Sequence, residues 1–78
     1  MDIKLILQDI FREVLDDESI NITINMSYND LNGWDSLAQV RIINACETFF
    51  NIKFSLDEIV NFKNIGNIID TIVLRTNI

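Results

Sequence analysis

Apolar residues return every third or fourth position in three separate stretches of this chain, and only a helix turns residues so spaced to one side. Between Asp2 and about Asp16 they are Ile3, Ile6, Leu7, Ile10, Phe11, Val14 and Leu15, with Lys4, Gln8, Arg12 and Glu13 between them. The acidic cluster Asp16-Asp17-Glu18 opposes the negative end of that helix's dipole and predicts its end there. A second helix is expected from Ser36 to Phe50, a short third from Ser55 to about Phe62, and a last one from Ile65 to about Arg75. Ser55-Leu56-Asp57-Glu58 has the Ser-x-x-Glu form of a capping box, and Gly66 is a mild weakness in the last helix's first turn.

Residues 17–35 form a long connection rich in Asn, Asp and Ser. Its alternating Ile20, Ile22 and Ile24 resemble a strand, but a lone strand has no partner elsewhere, so a loop is expected, pinned to the helices by Ile22, Ile24, Met26 and Leu31. In the second helix, Ile42, Ile43, Ala45, Cys46, Phe49 and Phe50 gather on one side as core, and Arg41, Asn44, Glu47 and Thr48 on the other. Leu37 and Val40 fall among the polar set, so two apolar side chains are placed on the solvent face beside Ser36.

This is an all-α pattern in one domain, residues 1–78, with a core that must hold without staples. One cysteine rules out an intrachain disulfide, and the absence of histidine removes a thiolate and imidazole zinc site. Cys46 is read as a small core residue. No apolar run approaches the roughly 18 residues that span a membrane, and Met1 to Asp9 lack the features of a secretory signal, so a soluble cytoplasmic protein is expected. A formal net charge of −6 argues against nucleic acid and anionic membranes as partners, and favours a basic docking face.

Chemistry is limited in the same way. Without histidine there is no Ser-His nucleophile pair, and three scattered lysines offer poor support for a lysine base. No Gly-rich phosphate loop is present, and an EF-hand with Gly33 at its sixth position would put Tyr28 at the first ligand and Gln39 at the last. An enzyme is not expected in a chain with so little room for a substrate cleft. What remains is Gly33-Trp34-Asp35-Ser36-Leu37, where a polar loop meets the second helix. By themselves these residues describe an ordinary helix start, with Asp and Ser as common caps. They also place a serine hydroxyl where unpaired N–H groups and the helix dipole favour a phosphate ester.

With four helices, a long first loop and a serine opening the second helix, the chain resembles the acyl and peptidyl carrier proteins of the stand-alone type. The likeness rests on Gly33-Trp34-Asp35-Ser36-Leu37, and extends through Val40, the end of the second helix from Glu47, the Phe50-x-Ile52-x-Phe54 connector and the Ile65 to Ile72 stretch. It implies a monomeric four-helix bundle whose Ser36 is esterified by 4′-phosphopantetheine. A separate magnesium-dependent phosphopantetheinyl transferase donates the group from coenzyme A, and loading and processing enzymes then handle acyl or aminoacyl thioesters. Asp35 would position Ser36 for the transferase. Leu37, Val40, Arg41, Glu47 and Trp34 would form the partner surface, Trp34 also anchoring the loop's end.

One departure bears on pathway. Carriers of the discrete fatty-acid synthases tend to have an acidic second helix, whereas this one is expected to present Ala38, Gln39, Arg41, Asn44 and Thr48, with only Glu47 acidic. The resemblance therefore leans toward a dedicated biosynthetic pathway. The rival from another class is a small acidic helical adaptor that binds proteins through Leu37 and Val40 without modification.

Overall fold

A computed structural model describes residues 2–76. Four helices follow one another: α1 (Ile3–Val14), α2 (Ser36–Phe50), α3 (Leu56–Val60) and α4 (Ile65–Thr76), with a 3-10 turn at Tyr28–Asp30 and no strand among the described residues. The all-helical expectation is met. α1 begins where the Asp2 carboxylate accepts the Leu5 N–H at 3.2 Å, and it buries Ile3, Leu7 and Phe11, one residue per turn. It stops short of Asp16, whose φ of 53° turns the chain into the left-handed region.

The connection to α2 is a loop, held largely by polar side chains of α1. Gln8 Oε1 accepts the Ile22 N–H at 2.9 Å, and Arg12 donates from Nε to the Ile20 carbonyl at 2.7 Å. Ile20 and Ile22 are buried, but Ile24 is 56% exposed and does not pin the loop with its side chain as expected. The chain turns at Thr23, whose carbonyl accepts the Met26 N–H, so the alternation that brings Ile20 and Ile22 inward ends before Ile24. The backbone does the anchoring instead: the carbonyls of Ile24 and Met26 accept the N–H groups of Gly66 and Ile65, both at 2.9 Å. A Cβ at Gly66 would lie 3.0 Å from the Ile24 carbonyl oxygen, so the glycine permits this close approach of loop and helix.

α2 spans the expected residues and closes on Asn51 in the left-handed conformation, with the Ile52 N–H donating to the Glu47 carbonyl at 3.1 Å. Ile42, Ile43 and Cys46 are buried as expected. Several of its residues depart from expectation. Ala38 and Gln39 are buried rather than presented, and Phe49 is 57% exposed rather than core. Phe49 sits over Ile6 and Ile10 in an open concavity rimmed by Asp9 and Glu13, with nothing covering its outer side, and meets Phe50 edge-on at 5.1 Å.

α3 is shorter than expected because Asn61 leaves helical geometry after one and a half turns. Its capping box forms: Ser55 N–H donates to Glu58 Oε1 at 2.8 Å, and Glu58 N–H to Ser55 Oγ at 3.1 Å. No residue of α3 is buried. It is held by its flanks, where Phe54 and Phe62 meet edge-on at 5.2 Å, and by Arg75 of α4, which grips Glu58 with two hydrogen bonds of 3.0 and 2.6 Å. That guanidinium, with the Ser55 N–H, lowers the Glu58 pKa below the usual carboxylate value. α4 begins on reciprocal bonds between Asn64 and Asn67 and buries Ile65, Ile68 and Ile72.

Burial pushes the Cys46 thiol from 9.0 up to about 12, with the Glu47 charge adding a little. The unfolded chain ionises first, so the thiol's stabilising contribution is fully present below about pH 9 and lost as pH rises toward 12. Urea midpoints should fall across that window, by at most about 1.4 kcal/mol of stability per pH unit, and Cys46→Ala should flatten this part of the profile. In the native protein near neutral pH, Cys46 should react with a thiol reagent far more slowly than after unfolding.

Candidate functional site

The entry to α2 is fixed from below by an indole. Gly33 adopts a φ of 87°, turning the chain so that Trp34 enters the core at 5% exposure. Its ring meets Phe11 edge-on at 4.9 Å and Tyr28 at 4.8 Å, and Nε1–H donates to Gln39 Oε1 at 2.7 Å. Burial raises the Tyr28 pKa above its ordinary value. Trp34 is thus the expected anchor, but its ring lies within the core and does not join a partner surface.

Asp35 follows as the N-cap, its Oδ1 accepting the Ala38 N–H at 2.9 Å and its carbonyl accepting the Gln39 N–H at 2.8 Å. Ser36 is the next residue, at the first position of α2 and exposed. The N–H groups of Ser36 and Leu37 precede the first intrahelical bond and have no carbonyl of α2 to pair with. Four serines occur in the chain, and the other three use their hydroxyls. Ser19 donates to Asp17 at 2.6 Å, Ser27 to Asp30 at 3.4 Å, and Ser55 accepts from Glu58 N–H at 3.1 Å. The Ser36 hydroxyl has no hydrogen-bond partner among the described residues, which leaves it free toward solvent beside two open N–H groups. That setting fits a phosphodiester in charge and in donor supply.

Leu37, Val40 and Arg41 are exposed next to it, Leu37 at 71% and Val40 at 54%, as helical phase predicts. Glu47, expected on the same surface, is turned in: its side chain is 14% exposed, because Oε2 accepts the Phe54 N–H at 2.9 Å. The connector's need for a hydrogen-bond acceptor takes this carboxylate away from solvent. Gln39 is likewise turned in where its polar side chain suggested solvent. At about 100° per residue it lies inside the arc of Ile42, Ile43 and Cys46, and that position could have revealed its burial despite its polar side chain.

Residues 6–72 match the phosphopantetheine attachment site family. The chain belongs to this family of carrier proteins. A similar solved structure is that of holo acyl carrier protein from Geobacter metallireducens, determined in solution by NMR. It is 38% identical, covers 99% of this chain and 88% of that one, and superposes with a TM-score of 0.91. No curated protein matches the chain significantly. As a carrier protein, the chain bears acyl groups on a covalently attached 4′-phosphopantetheine arm. Members of this family are generally non-catalytic. No helix among the described residues is long and apolar enough to cross a membrane.

The geometry assigns Asp35 a structural task that can be separated from any catalytic encounter. Replacing it with Ala removes the acceptor for Ala38 N–H and should cost about 1 kcal/mol in urea denaturation, while Asp35→Asn should recover most of it.

Proposed function

We propose that Ser36 is the attachment point of the arm, and that the domain serves a dedicated biosynthetic pathway. The observation that carries the first part is the contrast among the four serines: Ser36 combines an exposed, unengaged hydroxyl with the open first turn of a long helix. In this reading the protein is the substrate of a phosphopantetheinyl transferase. Ser36 Oγ loses its proton and bonds to phosphorus, the pyrophosphate bond of coenzyme A breaks, and adenosine 3′,5′-bisphosphate leaves. Asp35 holds the first turn of α2 in register so that the hydroxyl points outward, and the N–H groups of Ser36 and Leu37 face the ester's charge. When bound, the arm supplies a terminal thiol on which acyl groups ride as thioesters.

The partner surface in this reading is Leu37 and Val40 with Arg41 at their side. Apolar side chains exposed within a turn of the modified residue give processing enzymes a contact to bury. With Glu47 turned toward Phe54, the exposed face of α2 from Val40 onward carries Arg41, Asn44 and Thr48 and no free carboxylate. A basic docking face evolved for an acidic helix is repelled by Arg41, which favours a dedicated loader over fatty-acid enzymes. The compartment proposed is the cytoplasm, and the proposed state is a monomer.

Incubation with coenzyme A and a broad-specificity transferase should add one phosphopantetheine by intact mass, and Ser36→Ala should abolish the addition. Modification of the alanine variant would sink the assignment. Arg41→Glu should raise turnover by fatty-acid synthase enzymes at low salt, with the gain shrinking at physiological salt because a rim charge acts on encounter and is screened. Unchanged rates at low salt would remove the argument for a dedicated pathway.

A further inference from the structure

Gln39 carries a buried polar atom that the fold leaves unsatisfied. The residue is 6% exposed, and its Nε2 has no hydrogen-bond partner, although its Oε1 is engaged by the Trp34 indole N–H at 2.7 Å. That indole bond fixes which way the amide faces, because an indole N–H can only donate. Two N–H protons are left without an acceptor in the interior, an arrangement that costs about 1–3 kcal/mol and calls for a partner.

The place of Gln39 on α2 says where such a partner comes from. At about 100° per residue it lies about 60° from Ser36, one turn further along the helix. α1 covers the opposite flank, where Phe49 sits over Ile6 and Ile10. The stripe of α2 that carries Ser36 reaches the connector to α3 at its far end, where Glu47, about 20° from Ser36 in the same projection, holds the Phe54 N–H. α3 is the least anchored wall of the bundle, with no buried residue and an exposed ion pair holding it to α4. A group tethered at Ser36 that folds back along α2 toward α3 would pass the Gln39 position one turn from its attachment.

We infer that Gln39 is a specificity-determining residue for the carried group, donating from Nε2 to an acyl chain that bears an oxygen beyond its thioester carbonyl. This rests on attachment at Ser36. A saturated acyl chain offers one acceptor to two donors, whereas a 3-hydroxyacyl chain offers a second. A protonated aminoacyl group presents donors of its own and is disfavoured at this position. Trp34 takes part as a positioning residue, orienting the amide without touching the cargo.

The test uses the full chain loaded from butyryl-coenzyme A or 3-hydroxybutyryl-coenzyme A by a transferase, with loading at Ser36 verified by mass. In nitrogen-correlated NMR spectra, the Gln39 side-chain N–H resonances and the Trp34 indole N–H should move between the butyryl and 3-hydroxybutyryl forms. Relative to the same thioesters on free pantetheine, hydroxylamine should cleave the 3-hydroxybutyryl form about two- to tenfold more slowly than the butyryl form, the range expected of one hydrogen bond. Gln39→Leu should bring that ratio to about one. Identical Gln39 resonances in the two loaded forms, or a ratio that survives in Gln39→Leu, would overturn the inference. So would a lasting water contact to the Gln39 amide in the loaded protein. Failure to load Ser36 at all, visible by mass beforehand, overturns the attachment assignment and this inference with it.

Discussion

The Trp34 indole is the point on which the functional end of the molecule depends. It fills the space between Phe11 of α1 and the start of α2, and its single polar atom is satisfied by Gln39 inside the core. A loop rich in Asn, Asp and Ser has little apolar surface of its own with which to hold a fixed conformation. Burying one large ring at its last turn, just before the N-cap, fixes the direction in which α2 begins. Ser36 can then stand in solvent on a rigid base, since everything its position requires is supplied by the two residues before it.

Side chains that look like surface decoration in the sequence do structural work elsewhere in the fold. Gln8 and Arg12 lie on the polar face of α1, yet they hold the backbone of the loop at Ile20 and Ile22. Glu47 serves the connector, and Glu58 closes the first turn of α3 while gripping Arg75. The loops are thereby organised by hydrogen bonds reaching out from helices, which suits a small domain in which apolar residues suffice for one core.

That division explains what was legible in the sequence. The helices α1, α2 and α4 follow from apolar spacing, the capping box at Ser55 from its own four residues, and the buried places of Leu7, Phe11, Ile42, Cys46, Ile65 and Ile72 from helical phase. Ser36 stood out because its neighbours described a helix start. Ile24 and Glu47 were misjudged for a shared reason: their placement depends on a backbone turn and a side-chain-to-backbone hydrogen bond that apolar spacing does not encode. A turn at Thr23 and a bare N–H at Phe54 decided them, which strand alternation and helical phase do not register, whereas the burial of Gln39 lay within reach of helical phase and was missed because its side chain is polar. Phe49 failed differently, since phase gave the side it faces but not whether another element reaches far enough to cover it.

The bonds from Ile65 and Gly66 to the carbonyls of Met26 and Ile24 have a consequence for the order of events during synthesis. α1 and α2 can form while the chain is still growing, because their turns are local. The loop between them is completed only by α4, which leaves the ribosome after both. A nascent or truncated chain that stops before α4 therefore lacks the clamp that steadies the approach to Ser36, and the entry to α2 is finished only once α4 has been made.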